Sequence, residues 1–306
     1  MQLRTHTFSG GDGPHLLITG GVHGDEFEPI AAIRRLIELF TRNGSHADGL
    51  QGRLTCVPIV NEAAFLRGYR CAEDDLDLAR TCPGRRDGSV TEQTAHALSE
   101  LIRQADYYID LHTGGTEFSV HPLTGYVLHQ DALVLDVQRR MARAFNLLIV
   151  WGTCANLEGR SLSVARDAGV PAIYCEYLGA ASCVSKGVQA YVDGCLNVMS
   201  ELGMLTRDAP SCQVEYIVED PRPSSGHMQV CHPSPVDGFF EPAKDLGNRI
   251  TKGETFGTVY DMVTGQPHSI ASEHDGIVLV QRTFPRVRSG ESVGVVLDVS
   301  FAVTDD

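Results

Sequence analysis

Short apolar runs alternate with amphipathic helical stretches as far as about residue 205, and no other feature of the chain restricts its fold so strongly. Strands are expected at 15–19, 54–60, 107–111, 147–151 and 171–177. After Glu26, the residues Ile30, Ile33, Leu36, Ile37 and Phe40 fall on one helical face, and Asn43-Gly44 supplies a stop signal. Ser89-Val90-Thr91-Glu92 has the form of a capping box and opens a helix to about Gln104. A long helix from about Ser185 to Leu202 closes the series. Strands separated by helices line up mainly in parallel, with both faces of the sheet covered. The expected fold class is therefore α/β, a mainly parallel or mixed sheet with helices on both faces. In such sheets the functional site lies outside the carboxyl ends of the strands.

Residues 203–214 read as a linker, and the pattern beyond it is one of short β-like runs separated by Gly, Pro and Asp. This part repeats internally. Asp237-Gly238-Phe239-Phe240 matches Asp275-Gly276-Ile277-Val278, and Gly253-Glu254-Thr255-Phe256-Gly257 matches Gly290-Glu291-Ser292-Val293-Gly294. Two equivalent β-units imply a small all-β domain of barrel-sandwich type, so the chain divides into a catalytic domain over 1–205 and a β domain over 206–306. Biotinyl and lipoyl carriers share that architecture but need a lysine on the exposed hairpin. The stretch 260–272 has none, and the chain holds only Lys186, Lys244 and Lys252, which argues against a carrier.

At 306 residues, 42% hydrophobic and 21% charged, the composition is that of an ordinary globular protein. No apolar run approaches the roughly 20 residues that span a bilayer, and the first residues lack the plan of a signal peptide. A net charge of −14 argues against nucleic acid or an anionic membrane as partner. Nine cysteines, an odd number without a Cys-x-x-Cys pair, do not form a disulfide framework. Cys56 and Cys175 lie inside apolar runs and read as buried thiols. The expected compartment is the reducing cytoplasm.

Two segments carry the chemistry. Gly20-Gly21-Val22-His23-Gly24-Asp25-Glu26 follows the first strand, so His23 and Glu26 stand three positions apart between a strand end and a helix start. Tyr107-Tyr108-Ile109-Asp110-Leu111-His112 is a second strand that ends in a histidine. Two imidazoles and one carboxylate, with a fourth position open, make the ligand set of a catalytic zinc site. Asp110 points to the same side of its strand as His112, either to accept a hydrogen bond from a ligand imidazole or as a satisfied core carboxylate. Glu176 ends the otherwise apolar strand Ala172-Ile173-Tyr174-Cys175, where a solvated carboxylate is out of place, and it is the candidate general base. Partial burial raises the pKa of such a group toward neutrality. Between Asn61 and Arg86 lie Arg67, Arg70, Arg80, Arg85 and Arg86, a local excess of guanidinium that suits an anionic substrate. His121, His129, His227, His232, His268 and His274 show no ligand spacing.

The order of these motifs resembles the succinylglutamate desuccinylase/aspartoacylase family, relatives of the zinc carboxypeptidases. The series is His23-Gly24-Asp25-Glu26, then Asn61, Ala64 and Arg70, then Asp77-Leu78-Ala79-Arg80 with Pro83-Gly84, then Asp110-Leu111-His112 and Glu176. The resemblance spans roughly residues 15–300. It implies a zinc carboxypeptidase-like fold, one zinc ion per chain held by His23, Glu26 and His112, and hydrolysis of a small N-acyl amino acid or similar amide. It further implies Glu176 as general base and acid, Arg70 as the group that polarises the scissile carbonyl, and Arg80 as partner of the substrate carboxylate. Arg67, Arg85 and Arg86 are expected to be solvated. Two positions depart from the family pattern. Ala79 stands where Asn is usual, which removes a neutral donor worth roughly 0.5–1.5 kcal/mol, and Cys82 replaces an aromatic residue before Pro83-Gly84. Substrate identity is what these changes bear on. The alternatives are a carboxypeptidase-like peptidase and a non-catalytic zinc-binding or adaptor protein.

Overall fold

The computed structural model describes residues 2–41, 44–46, 48–223, 225–228 and 231–303. Strands β1 (His6–Ser9), β2 (Gly11–Thr19) and β3 (Gln51–Val57) open the chain, with helix α1 (Phe27–Phe40) between the last two. A short α2 (Glu62–Arg67) and a 3-10 turn (Leu78–Arg80) lead to α3 (Val90–Ile102) and β4 (Tyr107–His112). Then come β5 (Phe118–Val127), α4 (Ala132–Phe145), β6 (Ile149–Thr153), α5 (Ser161–Ala168), β7 (Ala172–Gly179) and α6 (Ser185–Glu201). The remaining elements are strands: β8 (Tyr216–Asp220), β9 (Gly238–Pro242), β10 (Arg249–Ile250), β11 (Thr255–Asp261), β12 (Pro267–Ala271), β13 (Gly276–Arg282), β14 (Arg286–Val287) and β15 (Gly294–Asp298).

Helices cover both faces of the large sheet because successive strand residues point opposite ways. Leu16 and Ile18 of β2 join a core with Ile33, Leu36, Met141, Phe145 and Tyr191 of α1, α4 and α6. Leu17, between them, packs instead with Ala95, Leu98 and Ile102 of α3 and Leu162 and Ala165 of α5. The capping box at the start of α3 is formed in both directions. The first helix ends at Phe40 with Thr41 as C-cap; the stop expected at Asn43 lies outside the described residues.

The sheet is mixed rather than mainly parallel. Its order is β1-β3-β2-β4-β7-β5-β13-β10, with β6 and β8 following from β5, and β15 on β13. β2, β3, β4 and β7 are parallel, whereas β5 runs antiparallel to β7. The cause is the link from β4 to β5, which has no room for a crossover helix and so reverses the chain. The strand β5 was not legible because Pro122 and Gly125 interrupt its β pattern. Along one edge β5 pairs first with β13, through Phe118–Val120, and then with β6, through Leu123–Val127.

The sheet therefore draws on residues from both sides of position 205: β8 pairs with β6, and β13 with β5. The repeated motifs open equivalent strands, β9 at Gly238 and β13 at Gly276. β9 pairs with β11, and β13 with β15. The halves exchange their short strands, since β10 adds to β13 and β14 adds to β9. Phe240, Phe256 and Val259 from the four-stranded sheet share one core with Ile250, Val278 and Val296 from the large one. No helix among the described residues is long and apolar enough to cross a membrane.

Candidate active site

Each functional side chain stands where a strand gives way to a loop or helix. Glu26 is the N-cap of α1 and His23 lies in the turn between β2 and α1. That turn presses against α2: a Cβ on Gly24 would lie 2.1 Å from the carbonyl carbon of Ala64, so no other residue fits there. Asn61 caps α2, accepting from the Ala64 amide at 3.1 Å. His112 is the last residue of β4 and stands in register beside Glu176 of the parallel strand β7. Residues paired across parallel strands point to the same side, so the imidazole and the carboxylate emerge together.

His23, Glu26 and His112 converge. The Nδ1 of His23 lies 2.6 Å from one oxygen of Glu26, and the Nδ1 of His112 lies 3.1 Å from the other. One ligand atom from each of the three lies within 4.8 Å of the rest, and all three residues are buried. The outer nitrogens are also matched with carboxylates. The Nε2 of His23 is 3.1 Å from Asp77 and the Nε2 of His112 is 3.1 Å from Asp110. This arrangement fixes each ring and directs both Nδ1 atoms inward. Asp110 is itself held by Thr19, which donates at 2.7 Å, and by Ser161. Asp110 thus both faces the His112 imidazole and is satisfied as a buried carboxylate by Thr19 and Ser161. Two inward nitrogens and a buried carboxylate fit a divalent ion of zinc type by donor chemistry.

Burial alone pushes the imidazole of His112 toward neutrality, yet Asp110 and Glu26 raise its pKa well above the ordinary value. Burial and Arg70 act likewise on His23, and Glu26 with Asp77 outweighs them, for a net rise. Burial would also lift Glu26, but the two histidines hold it well below the usual carboxylate range. The cluster thus attracts positive charge, which a metal ion supplies more directly than protons do. Glu176 behaves differently. Burial pushes its pKa up; His112 pulls it down and Glu26 raises it again, leaving it at about 7. Its Oε2 is buried without a hydrogen-bond partner among the described residues.

Arg70 donates to Asp77 through Nε and Nη2 at 3.2 and 3.0 Å, while the other oxygen of Asp77 receives the Ala79 amide at 2.9 Å. Asp77 therefore ties Arg70, His23 and the Leu78–Arg80 turn into one unit. Arg70, Ala79 and Arg80 line the same pocket as His23, Glu26, His112 and Glu176. The other three arginines do not line it. Arg67 donates to the carbonyls of Cys71 and Ala72, Arg85 pairs with Glu92, and Arg86 is exposed.

Asp77 and Arg160 were missed by sequence reasoning. Asp77 stands in the quoted Asp-Leu-Ala-Arg motif, and its fitness as a cap two residues before Ala79 was the available signal. Arg160 opens α5 and lines the pocket, donating to the Gly226 carbonyl at 3.2 Å. Its only signal was a lone arginine beside a glycine at a helix start, beyond the end of a strand. Residues 226, 228 and 280, from after position 205, also wall the pocket.

With this geometry in view, the comparisons with known proteins are specific. Residues 12–202 match the model of the Succinylglutamate desuccinylase/Aspartoacylase catalytic domain. The chain is 28% identical over 307 aligned positions to an N-alpha-acetyl-L-2,4-diaminobutyric acid deacetylase of Halomonas elongata, covering 94% of this chain and 83% of that protein. Its fold is similar to the crystal structure of a succinylglutamate desuccinylase/aspartoacylase from Rhodobacter sphaeroides, with a TM-score of 0.85 and 27% identity over 96% of this chain and 89% of the other. The product-bound ectoine utilization protein EutE of Ruegeria pomeroyi matches with a TM-score of 0.85 and 27% identity, over 98% and 88% of the two chains. With residues 12–202 matching the family's catalytic-domain model, this chain belongs to the succinylglutamate desuccinylase/aspartoacylase family.

Proposed function

We infer that the protein is a zinc-dependent hydrolase that removes the acyl group from a small N-acyl amino acid. The observation that carries this reading is the placement of Glu176 in register beside His112, in one pocket with the His23–Glu26–His112 cluster. His23, Glu26 and His112 hold the metal. When bound, zinc supplies Lewis acidity that lowers the pKa of water and polarises a carbonyl.

The chain's own residues perform the rest. Glu176, ionised above about pH 7 in the metal-free site, takes a proton from the attacking water. The water oxygen forms a bond to the acyl carbon, the carbon–nitrogen bond breaks, and Glu176 returns its proton to the departing nitrogen. The products are a carboxylate and a free amino acid. Arg70, aimed by Asp77, donates to the carbonyl oxygen as negative charge develops there. Arg80 and Arg160 bind the substrate's α-carboxylate. The similarity to a deacetylase of an N-acetylated amino acid supports the same bond as target.

The division near residue 205 belongs to this reading. Residues 1–205 supply the metal ligands, the base and the arginines, while residues 206–306 contribute Gly226, Met228 and Val280 to the pocket wall. A wall on that side suits a small amide better than the end of a folded peptide chain, and so favours a deacylase over a peptidase. The test is hydrolysis of a panel of N-acetyl and N-succinyl amino acids, with and without chelator. Deacylation that stops with chelator is expected. Cleavage of peptide ends in preference to every acyl amino acid would overturn the reading.

A further inference from the structure

The pocket is lined by both charged and apolar side chains. Among its described lining residues the only carboxylates are Glu26 and Glu176. Glu26 is taken up by both histidines, and Glu176 stands beside His112. The cationic residues besides the histidines are Arg70, already bound to Asp77, and the pair Arg80 and Arg160. That pair rises from one backbone junction: the Cys82 amide donates to the Gly159 carbonyl at 3.0 Å, and a Cβ on Gly159 would lie 2.5 Å from the Arg80 carbonyl oxygen. Two guanidiniums so placed suit one carboxylate.

The apolar part of the lining includes Phe118, Val120, Leu157, Met228 and Val280, with Ala79. Val120 and Val280 are 3% and 4% exposed and belong to a core cluster against which Phe118 and Met228 pack. This lining is therefore preformed, and water gains nothing by staying against it.

We propose that the pocket selects N-acyl amino acids bearing a neutral apolar substituent, and rejects those whose side chain carries an ammonium group. The proposal rests on the deacylase reading above and deepens it. An ammonium on the substrate side chain meets two guanidiniums and no carboxylate other than Glu26 of the histidine cluster and the base Glu176, so it is desolvated without a partner of its own. A second carboxylate on the substrate lacks a second arginine pair. An apolar group, by contrast, is buried against side chains that already exclude water. The pocket thereby differs in charge from what N-acetyl-2,4-diaminobutyrate, with its side-chain amine, requires.

The test compares kcat/KM of the zinc-loaded protein for N-acetyl-leucine, N-acetyl-phenylalanine, N-hexanoyl-glycine, N-acetyl-aspartate and N-acetyl-2,4-diaminobutyrate. The leucine and hexanoyl arms separate an apolar amino-acid side chain from an apolar acyl group. Apolar substrates are expected to exceed the diaminobutyrate and aspartate derivatives by at least about 10-fold. Calorimetry with the free amino acids gives a second readout that needs no turnover, and leucine should bind more tightly than 2,4-diaminobutyrate. Met228→Glu, which adds a carboxylate to the apolar wall, should move the leucine-to-diaminobutyrate ratio toward the diamine by about 10-fold or more. Equal or better turnover of the diaminobutyrate or aspartate derivative by the unaltered protein overturns this inference and leaves the deacylase reading standing. Failure to hydrolyse all five, together with every N-succinyl amino acid of the wider panel, overturns the deacylase reading, and the inference falls with it.

Discussion

The surroundings of Glu176 set its affinity for a proton. A carboxylate buried at a strand end, with one oxygen unpartnered and its pKa raised to about 7, is poised to exchange protons near neutrality. Glu176→Gln keeps the shape and cannot take the proton, so kcat should fall by roughly 10²–10⁴-fold while zinc stays bound. The same substitution has a stability signature in metal-free protein. Because the folded-state pKa is raised, Glu176 favours the fold while protonated, and that contribution is lost as pH rises from its ordinary value through about 7. Thermal melts of metal-free protein at pH 8 should therefore show the Gln variant melting above the parent. An unchanged or lower Tm there would contradict the burial argument. His23, Glu26, His112 and Glu176 were legible because strand-end placement singles out polar residues in apolar company. Asp77 and Arg160 were not, because what distinguishes them is a partner far along the chain: the Asp77 carboxylate meets His23, and Arg160 reaches Gly226.

At the scale of elements, the His23–Glu26–His112 cluster depends on how tightly the His23 turn seats on α2. Gly24→Ala places a methyl against the Ala64 carbonyl group, at 2.1 Å from carbon and 2.2 Å from oxygen, so turn and helix must part. Zinc affinity should fall by about 10- to 100-fold, the range seen when a group that orients a ligand is lost. Unaltered affinity by competition with a chelating dye would show that the turn does not depend on this contact. Helices with strong local signals, such as α3 with its capping box, were legible within a residue or two at their ends. The strand β5 was not, since its identity comes from three neighbours, β7, β6 and β13, and not from its own alternation.

Across the whole molecule, the change of sequence pattern near residue 205 is not a break in the sheet. β8 extends it at one side through β6, and β13 continues it from β5, so later residues complete a sheet that earlier ones begin. The only tryptophan, Trp151, lies in β6 opposite Val218 of β8 and is buried. Its fluorescence should report the loss of that junction at the same denaturant concentration at which far-ultraviolet circular dichroism reports loss of the helices. Two separate transitions would mean that the later strands unfold on their own. The central claim is that His23, Glu26 and His112 hold a zinc ion on which acyl-amide hydrolysis depends. Its most direct test is titration of zinc into metal-stripped protein while hydrolysis of an N-acyl amino acid is followed. The account predicts a rate that rises from near zero and saturates at one zinc per chain, with no such rise for His112→Ala; a rate indifferent to zinc, or an His112→Ala protein that responds like the parent, would contradict it.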